Sequence, residues 1–390
     1  MPLSLKARSV DSICSLSKEE WDKLSDPNNP FSDYDFYAGL EKTSCIGSKT
    51  SWHPRYVLAT DSHGFHSAFP FFHKFDSYGE YIFDHAWANF FAQNGLSYYP
   101  KGLVAYPFTP VTGRRILRRD GVSVREALDA LLPETFRAAE EAGLSGIHFL
   151  FLLEEEAQEL SKRGFATRIT HQYHWQNRNY NDFEDFLKEF KSKKRMQIRK
   201  ERENIRDAGI SIRVLEGDSV TQENMEQMYR FYTDTYSRKW GSPYLNLAFF
   251  REAWKTLRDK IVLILGEKEG RILGGSLNLR KGDKFYGRYW GSFEHIPFLH
   301  FECCYYSPIE YSIRNRIRIF EAGAQGEQKF LRGFPAVPTY SSHFIFHSGA
   351  RNAIERFLET ERMHMQEMIE ETNEHSPLKE VPGLADRETR

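Results

Sequence analysis

The sequence predicts an α+β chain built from two similar units, and three observations point there. Its 390 residues exceed one ordinary core and fit two of roughly 150 to 200 residues. Two strand-turn-strand passages of the same grammar occur, one in each half. Each is followed by a further strand, a helical segment and an isolated strand, the pattern of a duplicated α+β unit.

The first passage is "RYVLATDSHGFHSAFPFFHK". An apolar run at Tyr56 to Ala59 meets a "DSHG" turn, and alternating apolar positions then continue to Phe72 as the second strand. The helix "SVREALDALLPETFRAAEEAG" and the strand "GIHFLFL" complete the unit. The join falls near "ITHQYHWQNRNYNDFEDFLKEF", where Asn181 or Asp182 caps a helix with the stripe Phe183, Phe186, Leu187 and Phe190.

In the second half, "KIVLILGEKEGRILGGSLNLRKG" gives a run Ile261 to Leu265, an "EKEG" turn and a strand from Arg271 to Leu279. The segment "FECCYYSPIEYSIRNR" reads as helix and "IRIFEAG" as strand. Ile354, Phe357, Leu358, Met365, Met368 and Ile369 recur at helical spacing near the C-terminus, and a polar tail from about Thr372 reads as disordered. The expected domains are residues 1–176, residues 177–350 with a basic helix over 188–209, and a C-terminal helix and tail over 351–390.

Hydrophobic content of 40% and charged content of 27% are ordinary globular values and indicate neither wholesale disorder nor a membrane protein. A formal net charge of -1 leaves anion binding to local patches. Cys14, Cys45, Cys303 and Cys304 have neither metal spacing nor a disulfide framework, which reads as reduced thiols. No signal-peptide core and no apolar run of about 18 residues occurs, so a cytoplasmic location is expected.

Four segments carry candidate chemistry. "KEFKSKKRMQIRKERENIRDAG" places Arg195, Arg199, Arg202 and Arg206 along one helical face, a match for phosphates of RNA or a pyrophosphate; a solvated face of Glu–Arg pairs is the alternative. "DTYSRKWGSP" sets Lys239 beside Trp240 at a helix end, for an anionic or planar ligand, or for closing a core edge.

In "LHFECCYYSPIEYSIRN", a helix beginning near Phe301 puts Glu302 on an apolar stripe with Tyr306, Ile309 and Ile313, where a carboxylate becomes a general base. The competing reading is a capping box at "SPIE", with Ser307 as N-cap and Glu310 as its partner. The fourth segment, "FEAGAQGEQKFLRGF", brings Glu321 to a strand end. Gly323 and Gly326 there allow close backbone approach, and Glu327, Lys329 and Arg332 supply charge. A polar turn with a surface ion pair is its alternative. His343 and His347 in "HFIFH" have helical metal spacing without a third ligand, so no metal is expected, and no P-loop, dinucleotide fingerprint or nucleophile elbow is present.

The motifs "NPFSDYDFYAGLE", "SYGEYIFDHAWA", "YYPKGLVAYPFTPVTGRRIL", "HWQNRNYNDFEDFL", "KKRMQIRKERE", "DTYSRKWG", "LHFECCYYSPIEYSI" and "GAQGEQK…RGF" stand in order from about Asn29 to His347. Together they resemble the FemAB-like family of peptidoglycan biosynthesis or recognition. The resemblance implies two tandem GNAT-like domains with mixed sheets flanked by helices, no cofactor, and transfer of an amino acid from aminoacyl-tRNA to an amine of a peptidoglycan precursor or other small metabolite.

On that reading, Glu302, Glu327 and Lys329 are the catalytic candidates. Arg195, Arg199, Lys239, Trp240, Arg288, Trp290, Tyr306, Glu321, Gln325 and Arg332 are the binding ones. The chain departs from acyl-CoA GNAT enzymes at "SFEHIPFLHFE", which lacks the glycines of their pyrophosphate loop. An acyl-CoA N-acetyltransferase and a non-catalytic precursor- or RNA-binding protein are the rival readings.

Overall fold

Both hairpins form where alternation and turn residues put them. Tyr56–Asp61 pairs antiparallel with Gly64–Phe69, and Ile261–Lys268 with Arg271–Lys281. The second turn places Glu269 and Gly270 at φ 52° and 76°, the doubly left-handed geometry that matches strand twist. The computed structural model describes residues 5–238, 241–323 and 326–379. Among these, no helix is long and apolar enough to cross a membrane.

The chain divides into two compact units. One takes everything up to Thr170 together with Tyr244–Thr256 and Pro338–Met365; the other takes His171–Pro243, Leu257–Val337 and the chain from Gln366 onward.

The first unit departs from its sequence reading at Pro70. The expected second strand is two strands, Gly64–Phe69 and Phe71–Lys74, which belong to different sheets. A proline has no N–H for a ladder, so the break falls where pairing must change. One sheet has the order Lys6–Val10, Tyr56–Asp61, Gly64–Phe69, Leu117–Arg118. In the other, Trp52–Pro54, Phe71–Lys74, Lys101–Val104 and Gly146–Leu152 follow in order, and the last pairs with the strand that ends at Ile345. Helix Val124–Glu141, opened by a Ser123/Glu126 capping box, lays Leu128 and Leu131 against Val57, Phe69 and Phe149.

A network of charges is buried in this unit. Lys101 donates to Glu80 at 2.8 Å and also to Asp84, and all three side chains are almost fully buried. Burial pushes the Glu80 carboxyl up to about 7, whereas Lys101 overcomes the same burial at Asp84 and holds it down to about 2. His343 lies in strand Ala336–Ile345, not on a helix, and its Nδ1 sits 2.9 Å from Nδ1 of His148 on the neighbouring strand. The helical metal spacing read at His343 and His347 therefore has no counterpart in the backbone.

In the second unit, the sheet runs Ser211–Glu216, Ile261–Lys268, Arg271–Lys281, Lys284–Ser292, Ile319–Glu321, then the end of strand Ala166–Gln176. Val262 to Leu265 are fully buried, each worth about 2 kcal/mol in transfer from water. Helix Gln222–Arg238 packs against Lys284–Ser292 so closely that a Cβ on Gly291 would stand 2.4 Å from the Phe231 carbonyl. Asp182 is the N-cap of Phe183–Lys188, accepting from the Asp185 N–H. The basic segment opens its own helix, Ser192–Asp207. The C-terminal helix runs Ser348–Glu374, past the point where disorder is expected.

Candidate functional site

The feature that organises the second unit is a divergence of two strands. Lys284–Ser292 pairs in parallel with Ile319–Glu321 only from Lys284 to Tyr286; beyond that point it stays paired with Arg271–Lys281 but, among the described residues, has no strand on its other side. The cause is local. Gly287 lets the Ala322 backbone approach, with Cα of Ala322 only 3.4 Å from where a Cβ would be, and Gly323 at φ 85° turns the chain away. Arg288 and Trp290 alternate along the strand beyond the split.

Lys329 sits at this opening. The loop returns through the short turn Phe330–Arg332, which Gly333 closes at φ 85°, and the Lys329 ammonium donates to the Gly323 carbonyl at 2.6 Å. Lys329 is only 3% exposed. Burial depresses it from 10.5 to about 7; the Arg288 guanidinium pushes the same way and the Cys304 thiol opposes. A lysine so placed is half neutral near pH 7 and can take or give a proton there.

Behind it lies a closed polar network. Tyr306 donates to Glu201, while Arg332 donates to the Tyr306 hydroxyl at 2.9 Å and to Glu201 at 3.0 Å and stacks 3.3 Å from the Phe301 ring centroid. Arg332 is 2% exposed. It clamps the loop from inside the protein.

Glu302 is likewise engaged. Arg202 donates to both its oxygens, at 3.1 and 2.9 Å, and Ser307 donates at 2.7 Å; Arg202 also reaches Glu310 at 2.7 Å. This overturns the capping-box reading of "SPIE". The helix begins at Leu299, passes through a π-helical turn at Glu302–Tyr306 and continues as Ser307–Arg314, so Ser307 is helical and caps nothing. Glu310 is an ion-pair partner. The alternative, a helix from near Phe301 with Tyr306 and Ile309 buried on one stripe, is the one the backbone follows.

The remaining expected residues are spread out. Glu321, buried at the end of its strand, lies 3.7 Å from His174 and 3.8 Å from Lys284. Glu327 is exposed on the Lys329 loop. Arg199 pairs with Glu184, both about half exposed, and Arg195 is partly exposed on the same helix. Lys239, Trp240 and Gln325 lie outside the described residues.

Trp290 lines a cleft of about 440 Å³ with Arg238, Phe298, His300 and Phe301. His300 meets the indole edge-on at 5.3 Å, and Arg238 donates to the Ser292 carbonyl at 2.5 Å. Arg238, ion-paired with Asp234, and several ring faces line the cleft together with Glu294, a setting for a planar group. Its floor is the loop before the helix, where Phe298 stands at φ 65°. The place of His300 and Phe301 in this cleft is not legible in the sequence, where they read only as the start of an apolar helix.

Comparison with known proteins adds to this geometry. A family model described as FemAB-like, peptidoglycan biosynthesis/recognition, matches residues 12–380. No curated protein matches the chain. Among solved structures, FemX aligns with a TM-score of 0.56 at 12% identity, over 89% of this chain and 100% of FemX. A conserved protein of unknown function from Bacteroides thetaiotaomicron gives 0.52 at 10% identity, over 88% and 99% of the two chains. The C-terminal domain of a putative lysylphosphatidylglycerol synthetase from Agrobacterium fabrum gives 0.51 at 9%, over 86% and 94%. At such identities the likeness is one of fold, and it agrees with the expected chain of two units with mixed sheets flanked by helices.

Proposed function

Since the chain belongs to the FemAB-like acyltransferase family, we propose that it transfers an amino acid from aminoacyl-tRNA to an amine, at the strand divergence of the second unit. The acceptor is a peptidoglycan precursor or another amine-bearing metabolite, and the tRNA donor implies a cytoplasmic reaction. The observation that carries this reading is Lys329, buried at the split with its pKa brought down to about 7.

In the proposed reaction, the acceptor amine attacks the ester carbonyl. A C–N bond forms, the C–O bond to the ribose breaks, and the proton lost by the amine passes through neutral Lys329 to the departing ribose oxygen. Among the described residues no strand pairs on that side beyond Tyr286, and this stretch of backbone faces the developing oxyanion. Arg288 and Trp290 orient the substrates, and Glu327 adds an exposed carboxylate to the same loop. Glu302, Tyr306 and Arg332 hold the helix and loop in place, with Glu321 supporting the strand end. Arg195 and Arg199 meet donor phosphates along the exposed helix.

A tRNA donor is favoured over coenzyme A by the loop Phe293 to Phe298. It has no glycine, and bulky side chains stand where backbone N–H groups would have to reach a pyrophosphate. Parallel incubations with aminoacyl-tRNA and acyl-CoA donors, each with a panel of amine acceptors analysed by mass, test the proposal. An acceptor gaining one aminoacyl residue from tRNA supports it; transfer from the thioester alone overturns it.

A further inference from the structure

A second cleft of the same unit is not needed for acyl transfer. It holds about 350 Å³ beside the strand Ser211–Glu216, floored by Ile205, Ile210, Ile212 and Val214 and walled in part by Arg206 and Arg314. Among the described residues this strand is the outer one of its sheet, pairing with Ile261–Lys268 on one side only. Alternate N–H and C=O groups therefore point away from the ladder.

Natural edges are usually blunted by a charge directed outward. Here Arg213 is instead turned onto Glu267 of the neighbouring strand at 2.7 Å, and Val214 remains 38% exposed. The charges of the cleft leave a cationic surplus. Glu302 and Glu310 are taken by Arg202, and Arg314 lies 3.5 Å from Glu310. Arg206 has no ion-pair partner among the described residues.

We propose that this cleft docks an extended acidic peptide. The peptide adds a strand to Ser211–Glu216, places an aliphatic side chain on Ile212 and Val214, and sets a carboxylate on Arg206 and Arg314. A free strand edge recognises backbone amides, which nucleic acids lack, and the floor is mostly aliphatic, with one ring in the lining, Tyr311, whose hydroxyl is tied to Glu216 and Arg280. Hence the peptide is the occupant, in a cleft that shares Glu302 with the support of the transfer site.

The test is fluorescence anisotropy of the full chain with a labelled peptide of alternating valine and glutamate. Controls are the same peptide with lysine for glutamate, the peptide N-methylated at alternate amides, and a labelled single-stranded RNA. We expect saturable binding of the acidic peptide alone, weakened about tenfold by R206E with R314E, together with slowed amide exchange across Ser211–Glu216. Should the double variant unfold, Val214→Lys carries the same expectation. Absent binding, equal binding of the lysine or N-methylated peptide, or displacement by the RNA would overturn the proposal.

Discussion

Replacing Lys329 with methionine removes a charge that the fold holds in a poor place, and the structure gives the size of the effect. The folded site brings the ammonium from 10.5 to about 7, and at about 1.4 kcal/mol per unit this is a penalty of about 5 kcal/mol for the charged form. The sign follows from which state binds the proton. Below about pH 7 the folded and unfolded chains both carry it, and the full penalty weighs on the fold. Between there and 10.5 the folded lysine is neutral while the unfolded one stays charged, so the penalty shrinks as pH rises. It falls to about 3 kcal/mol by about pH 8.5.

Methionine keeps the length of the stem but forfeits the hydrogen bond to the Gly323 carbonyl, at about 1 to 2 kcal/mol. Lys329→Met is therefore expected to stabilise the protein, by about 2 kcal/mol more at about pH 6 than at about pH 8.5. Urea unfolding of both proteins at the two pH values measures this difference. An equal effect of the substitution at both pH values would refute the reasoning, since that is how a lysine with an unshifted or raised pKa behaves well below 10.5; so would a loss of stability that grows toward low pH.

Lys101 is such a lysine, and Lys101→Met is expected to cost about 3 to 5 kcal/mol because Glu80 and Asp84 would lose their shared cation; the same urea titration reads it. Glu302→Gln breaks the bidentate contact with Arg202 and is expected to lower stability by about 2 to 4 kcal/mol. Its pH–rate profile should keep the wild-type midpoint, and a shifted or lost limb would return Glu302 to the role of base. Trp290→Ala removes a ring from the cleft it shares with His300 and is expected to raise the donor KM about tenfold, with kcat little changed. Steady-state kinetics separates the two.

Local grammar explains what the sequence could tell. The hairpins were legible because period-two alternation and a Gly-containing turn act within a few residues, and the cap at Asp182 because a carboxylate reaches an N–H three residues on. The "SPIE" capping box misled for the complementary reason: a cap needs an extended residue, and Ser307 at φ -65° and ψ -39° is held helical by the turns on either side. Arg202 meets Glu302 and Glu310 across a large stretch of chain, and no spacing announces such a pairing. The same holds for Lys101 with Glu80 and Asp84. The loop around Lys329 was visible as a concentration of polar residues, but its depressed pKa depends on burial that only the returning chain creates. Pro70 stood in plain sight; alternation across it masked the change of sheet.

The central claim is that Lys329 handles the proton of an aminoacyl transfer. The measurement that meets it most directly is transfer of a radiolabelled amino acid from charged tRNA to an amine acceptor, followed over pH in the wild type and in folded Lys329→Met. The account predicts a wild-type rate that rises through a midpoint near pH 7 and falls by about a hundredfold or more in the variant. A variant that transfers at the wild-type rate with the same pH dependence would contradict it.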